Sequence, residues 1–303
     1  MTAADEALAE RVADSGSRRV AFLGLAKNVG KTTALVSVLS LLHEKGFRVG
    51  ATSAGRDGEE FDAITGDRKP RFRLWPGQLV ASAESSFAGD DGSFELVRAL
   101  PFATRFGPIQ IRRAGRSCEI EVMGPTTSSQ LSGAAAALEQ IGSQLVLIDG
   151  AFGRRAFASA RVCDGIVLSV GVAAGTNVES ALSAARSSIA LLDLKEPLPG
   201  ARTRRFEGAV TDADVAASPP AAGETLLAED FAAIFLSPEI RRDLERRGVA
   251  LAVSRPARLI AVTANPTAPG RDPEPARDFF DALAVVLPGV ALIDLKANLC
   301  RLP

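Results

Sequence analysis

Four apolar residues, Val20-Ala21-Phe22-Leu23, run straight into Gly24-Leu25-Ala26-Lys27-Asn28-Val29-Gly30-Lys31-Thr32-Thr33, and a helix-like apolar stretch follows from 34 to 44. A strand, a tight glycine-bearing loop and a helix start leave little freedom in how this part of the chain can fold. Backbone N–H groups of such a loop can surround a polyphosphate without side-chain hindrance. Lys31 can reach the outer oxygens, and the Thr32 hydroxyl can join a Mg²⁺ shell. Gly24, Asn28, Val29, Gly30, Lys31, Thr32 and Thr33 are therefore the expected contacts to a nucleoside triphosphate.

A second feature completes that chemistry. Leu145-Val146-Leu147-Ile148 is an unbroken apolar run, as in a strand buried on both faces of a parallel sheet, and it ends in Asp149-Gly150. An aspartate there is the Walker B arrangement, a carboxylate placed to support the cation held by Thr32. After the strand at 47–52 comes Ala54-Gly55-Arg56-Asp57-Gly58-Glu59-Glu60-Phe61-Asp62, where Asp57 is the first choice for a further Mg²⁺ contact. Arg154 and Arg155, in the stretch after Asp149, could neutralise developing phosphate charge or serve as surface contacts; Arg155 is taken as the catalytic candidate. The cofactors expected are ATP and Mg²⁺.

Composition narrows the class. The chain has 303 residues, 47% of them hydrophobic, enough for a substantial core, and its net charge of −1 gives no whole-chain footprint for nucleic acid or an anionic membrane. Cys118, Cys163 and Cys300 are odd in number and widely spaced, so neither a disulfide framework nor a metal knuckle is encoded. No run of about 18 apolar residues and no leader-like N-terminus occurs, so a cytoplasmic, soluble protein is expected. The single histidine, His43, sits at the end of the first long helix, where the dipole favours it, rather than in a catalytic position.

The rest of the chain reads as α/β: a doubly wound, mostly parallel sheet with a β-rich insertion and a C-terminal α/β extension. Residues 1 to about 17 form an amphipathic lead-in, with Ala7, Leu8 and Val12 capping the domain. From 69 to 123 short strand-like runs alternate with turns such as Pro76-Gly77 and Gly107-Pro108. Gly124-Pro125-Thr126-Thr127-Ser128-Ser129-Gln130 starts a helix over 131–141, and a strand at 165–171 precedes a helix over 177–192. The core therefore spans 18–195. In the C-terminal segment, 196–303, the stretch 215–223 reads as loop and 231–236 as a strand. Ser237-Pro238-Glu239 opens a helix that Gly248 closes, and strands at 249–253, 259–263 and 290–294 follow, the last after a further helix beyond Pro273.

The six-residue spacing of the phosphate loop resembles that of the dethiobiotin synthetase and cobyrinic acid amidating branch of P-loop proteins. It differs from the ParA/MinD type, whose extra lysine falls where this chain has Ala26. Taken in order, the loop at 24–33, Thr52-Ser53-Ala54-Gly55-Arg56-Asp57-Gly58-Glu59, the 124–130 run and Leu147-Ile148-Asp149-Gly150-Ala151-Phe152-Gly153-Arg154-Arg155 resemble the P-loop subunit of the lysine 5,6-aminomutase reactivase family. The resemblance covers about 18–190. It implies an ATPase that works with a MutS-like ATPase subunit on an adenosylcobalamin-dependent aminomutase, releasing damaged cobalamin; a homodimer is compatible with it. Lys31 would hold phosphates, Thr32, Asp57 and Asp149 the Mg²⁺, and the loops at 54–62 and 151–159 would pass the state of the γ-phosphate to the partner.

The competing reading is an ATP-dependent carboxylate-activating ligase of the dethiobiotin synthetase or cobyrinic acid amidating type. Those proteins carry Glu-Gly where this chain has Asp149-Gly150, and no glutaminase-like Cys/His pair follows here. An N-K-x-D or T-K-x-D sequence that would read guanine is absent, which favours ATP; Asn265, in Thr263-Ala264-Asn265-Pro266, is either a contact to the base or part of an Asn-Pro turn.

Overall fold

The computed structural model describes residues 2–55 and 71–303. Its strands alternate with helices, and ten of them form one twisted sheet: β1 Arg19–Gly24, β2 Val49–Ser53, β3 Leu79–Ala83, β4 Phe94–Thr104, β5 Gly107–Ala114, β6 Leu145–Ala151, β7 Gly165–Gly171, β8 Leu259–Asn265, β9 Leu292–Asp294 and β10 Leu299–Arg301. Among the described residues their order is β10-β9-β8-β7-β1-β6-β2-β3-β5-β4. From β9 across to β3 every pairing is parallel, and antiparallel strands lie only at the two margins. The molecule is thus a doubly wound α/β protein.

The central strands are apolar throughout because both of their faces are covered. Val20 and Phe22 of β1 pack with helices α1 (Ala3–Asp14) and α2 (Lys31–Glu44). Ala21 and Leu23 pack on the opposite side with α3 (Ser128–Ile141), α4 (Val178–Leu192) and, later in the chain, α7 (Ala276–Val286). The lead-in expected at 1–17 is α1, begun by a capping box between Thr2 and Asp5, and Leu8 and Val12 are fully buried in it.

The β-rich stretch does not stand apart as a lobe. β3, β5 and β4 extend the main sheet beyond β2, and only Phe72–Leu74 and Cys118–Ile120 form a separate antiparallel pair. At its other end the sheet takes in β8, β9 and β10 from the C-terminal segment. Thr203–Arg205, Thr225–Ala228 and Ala250–Val253 make a small parallel sheet of their own.

Two sequence expectations in this segment are corrected. Part of the stretch read as loop at 215–223 belongs to helix α5 (Asp212–Ala217), because Thr211 and Asp214 close a capping box before it. The strand expected at 231–236 is a 3₁₀ turn, Phe231–Ala233, followed by the two-residue strand Ile234–Phe235. Asp230 accepts from the Ala232 amide at 2.9 Å and so bends the chain at this point. The next helix, α6 (Pro238–Arg246), starts as expected with Ser237 as its cap and proline in the first turn.

Candidate functional site

β1 lies at the point where the sheet reverses its winding: the chain leaves it toward β2 on one side, whereas β7 leads to β8 on the other. In such sheets the crevice at the carboxyl ends of the strands is the place for a ligand. A cleft of about 1040 Å³ opens there, large enough for a nucleotide. Its floor is the 24–33 loop. One wall is built from Asp149, Ser53, Ala54, Glu121 and Val122, and the other from Thr263, Asn265, Thr267, Pro269 and Lys296.

The loop takes its shape from two residues with left-handed backbone, Asn28 at φ 61° and Gly30 at φ 87°. At Gly24 a Cβ would come within 2.8 Å of Val29 Cγ2, so the loop closes back on its own first residue. The Leu25 amide donates to the Ser169 carbonyl at 3.1 Å, which ties the loop to β7. Gly30 then caps α2 without a side-chain hydrogen bond, and no acid lies in the first turn of that helix. Among the described helices of eight or more residues, α2 alone lacks both. The amides at the start of a helix need acceptors, and here they face the cleft that the loop encloses.

Lys31 lies in the first turn of α2, and its ammonium donates to Asp149 at the end of β6. The register explains the meeting: Phe22 of β1 is paired with Asp149, so the carboxylate stands on the strand next to the one that launches the loop. Lys31 is 22% exposed and Asp149 is 16% exposed, so the pair is sheltered but open to the cleft. Thr32 and Thr33 line the same cleft. A carboxylate and a hydroxyl are the hard oxygen donors that Mg²⁺ takes alongside phosphate oxygens, so the residues present suit that ion. No group of three or more His, Cys, Asp or Glu side chains able to hold a metal by themselves occurs among the described residues.

The end of β2 is fixed against two neighbours. The Ala54 amide donates to the Asp149 carbonyl at 2.7 Å and the Gly55 amide to that of Pro125 at 2.6 Å, while Ser53 Oγ accepts from the Gly124 amide at 3.1 Å. Thr127 caps α3 as its sequence suggests, accepting from the Gln130 amide.

The other sequence candidates fare differently. Asn265 lines the cleft; its amide donates to the Asn28 carbonyl at 2.9 Å, and its Oδ1 accepts from the Thr267 hydroxyl at 2.8 Å and amide at 3.2 Å. Arg155 is not among the cleft-lining residues. It donates to the Ile234 carbonyl at 2.7 Å and lies 4.8 Å above the Phe235 ring, and burial, followed by the nearby Arg241, holds its pKa below the ordinary value. In this arrangement Arg155 joins the 3₁₀ segment Phe152–Ala158 to the 234–235 strand. Asp57 lies outside the described residues. Sequence reading missed Glu121, Thr267 and Lys296 as cleft residues, because no local motif marks them and only the sheet order brings them to the crevice.

No helix among the described residues is long and apolar enough to cross a membrane. No protein-family model and no curated protein matches the chain. Among solved structures it is similar to a ParA family ATPase from Chlorobium tepidum TLS, with 11% identity over 88% of this chain and 89% of that one and a TM-score of 0.30. It is also similar to the signal recognition particle receptor FtsY from Elizabethkingia anophelis, with 10% identity over 92% of this chain and 71% of that one and a TM-score of 0.29. On its own topology the chain is a doubly wound α/β protein whose cleft opens at the carboxyl ends of the central strands.

Proposed function

We propose that this chain binds ATP with Mg²⁺ and hydrolyses it, and that it serves as the nucleotide-responsive subunit of a chaperone that reactivates an adenosylcobalamin-dependent aminomutase. The observation that carries the first part is the uncapped start of α2, with Lys31 held by Asp149 at its mouth. The amides at the start of α2 have neither a capping side chain nor an acid in the first turn, and a triphosphate would supply negative charge there.

The roles we assign follow the sequence motifs and, for the described residues, their place around the cleft. Backbone groups of Gly24, Asn28, Val29 and Gly30 enclose the phosphates, and Lys31 swings from Asp149 to their outer oxygens. Thr32 and the released Asp149 would hold Mg²⁺ directly or through water, with Asp57 as a further carboxylate expected from the sequence and Thr33 beside the phosphates. Bound Mg²⁺ would neutralise charge on the two outer phosphates. Asp149 lies on the β2 side of the loop, so in this reading the terminal phosphate would point toward β2 and the nucleoside toward Asn265 and Lys296.

The chaperone role rests on the joint order of the sequence motifs and on one structural path. Phe152–Ala158 follows Asp149 almost directly and touches Phe231–Ala233, and Arg155 links it to Phe235, a half-exposed aromatic ring. A change at Asp149 therefore has a short route to the surface, where a MutS-like subunit would read it. The test is ATP turnover by the purified chain alone, with that subunit, and with the aminomutase carrying inactivated cobalamin. Stimulation by the protein partners together with cobalamin release supports the proposal. ADP formation that instead requires a small carboxylate would replace it with the ligase reading.

A further inference from the structure

We infer that Asn265 is a positioning residue for the phosphate loop: it sets the grip on the phosphates and does not choose the base. This rests on the nucleotide reading of the same cleft. Asn265 is the last residue of β8, paired in register with Gly171 of β7, and is only 7% exposed. Both polar atoms of its side chain are engaged within the protein. Thr267 donates twice to Oδ1, through its hydroxyl and its amide, and this fixes which end of the carboxamide is oxygen. Nδ2 is thereby aimed at the Asn28 carbonyl, 2.9 Å away.

That carbonyl belongs to a residue the chain must hold in left-handed backbone, φ 61°, immediately before the turn that starts α2. The packing is close on the loop side as well. A Cβ on Gly30 would lie 3.6 Å from Asn265 Cβ, and one on Gly171 would lie 3.3 Å from both Asn265 Cβ and Val29 Cα. The end of β7, the side chain from β8 and the loop at 28–30 thus meet at one point. A hydrogen bond there pins the peptide whose neighbours offer their N–H groups to the phosphates. One N–H of the carboxamide is committed to the Asn28 carbonyl and its oxygen to two Thr267 donors, which turns the group toward the loop, so loss of it should be felt equally by any ligand with the same phosphates.

The experiment uses the full chain with Asn265→Ala and the milder Thr267→Val, and measures binding of Mg·ATP, Mg·GTP and magnesium tripolyphosphate by calorimetry. Hydrogen exchange is followed at 28–31 and in the buried part of α2. The expected result for Asn265→Ala is a fall of roughly three- to tenfold for all three ligands alike, the worth of one neutral hydrogen bond. Amide exchange should speed up at 28–31 while that of Leu39 to Leu42 stays as in the wild type. Thr267→Val should show the same pattern more weakly and provides the reading if Asn265→Ala folds poorly. Unchanged affinities, or a loss for ATP that tripolyphosphate does not share, would overturn the inference and leave the nucleotide site standing. Failure of the wild-type chain to bind any of the three would overturn the site itself and the inference with it.

Discussion

Lys31 and Asp149 are paired at the cleft, and in the proposed function a phosphate would take the place of the carboxylate as partner of the ammonium. Removing the carboxylate should therefore act in two directions. In Asp149→Asn the ammonium no longer has a carboxylate to leave, so ATP should bind without Mg²⁺ about as well as, or up to several-fold more tightly than, in the wild type. Mg²⁺-dependent turnover should fall by roughly a hundredfold or more, the order seen when a transition-state electrostatic contact is removed. Nucleotide binding in the presence and absence of EDTA, set beside phosphate release, checks both. Full turnover in this variant would move the metal role to another residue.

The elements owe their positions to a few close crossings. Between β2 and the approach to α3 the chain passes so tightly that a Cβ on Gly124 would run into the Ser53 carbonyl, and one on Gly55 into that of Pro125. Gly124→Ala should lower stability by about 3 kcal/mol, the upper range for overpacking, as read from denaturant midpoints at constant slope. Wild-type stability would show that the two segments separate freely. Such crossings were not legible in the sequence, since a glycine beside proline reads simply as a turn. What was legible was local: the strand, glycine-bearing loop and helix start at 19–33, the apolar run ending at Asp149, the Thr127 and Ser237 caps and the strands at 165–171 and 259–263. Each of these is written in neighbouring residues, whereas Glu121 and Lys296 reach the cleft only through pairings distant in sequence. β4 also escaped notice, because an edge strand with two register shifts and mixed exposure has no clean alternation. For Arg155 the sequence shows its position after Asp149 but not the direction of its side chain, which contacts the Ile234 carbonyl and the Phe235 ring.

For the molecule as a whole, the sheet carries one core on each face, and the cleft lies at its carboxyl rim. Arg19 at the start of β1 grips Glu139 near the end of α3 through two hydrogen bonds, 2.9 and 2.7 Å long. The Arg19 hydrogen bond holds the Glu139 carboxyl below its ordinary range. A carboxyl depressed in the folded state adds stability above its unfolded pKa, about 4.3, and that stability is lost as pH falls through the lower folded value. Glu139→Gln should therefore cost about 1 kcal/mol at pH 7 and make the acid limb of stability shallower below pH of about 4. An acid limb identical to the wild type would place the acid sensitivity elsewhere. The most direct test of the central claim is calorimetric titration of Mg·ATP into the wild-type chain and Lys31→Ala. The account predicts one saturable site in the former and no measurable binding in the latter; equal affinity in both would contradict it.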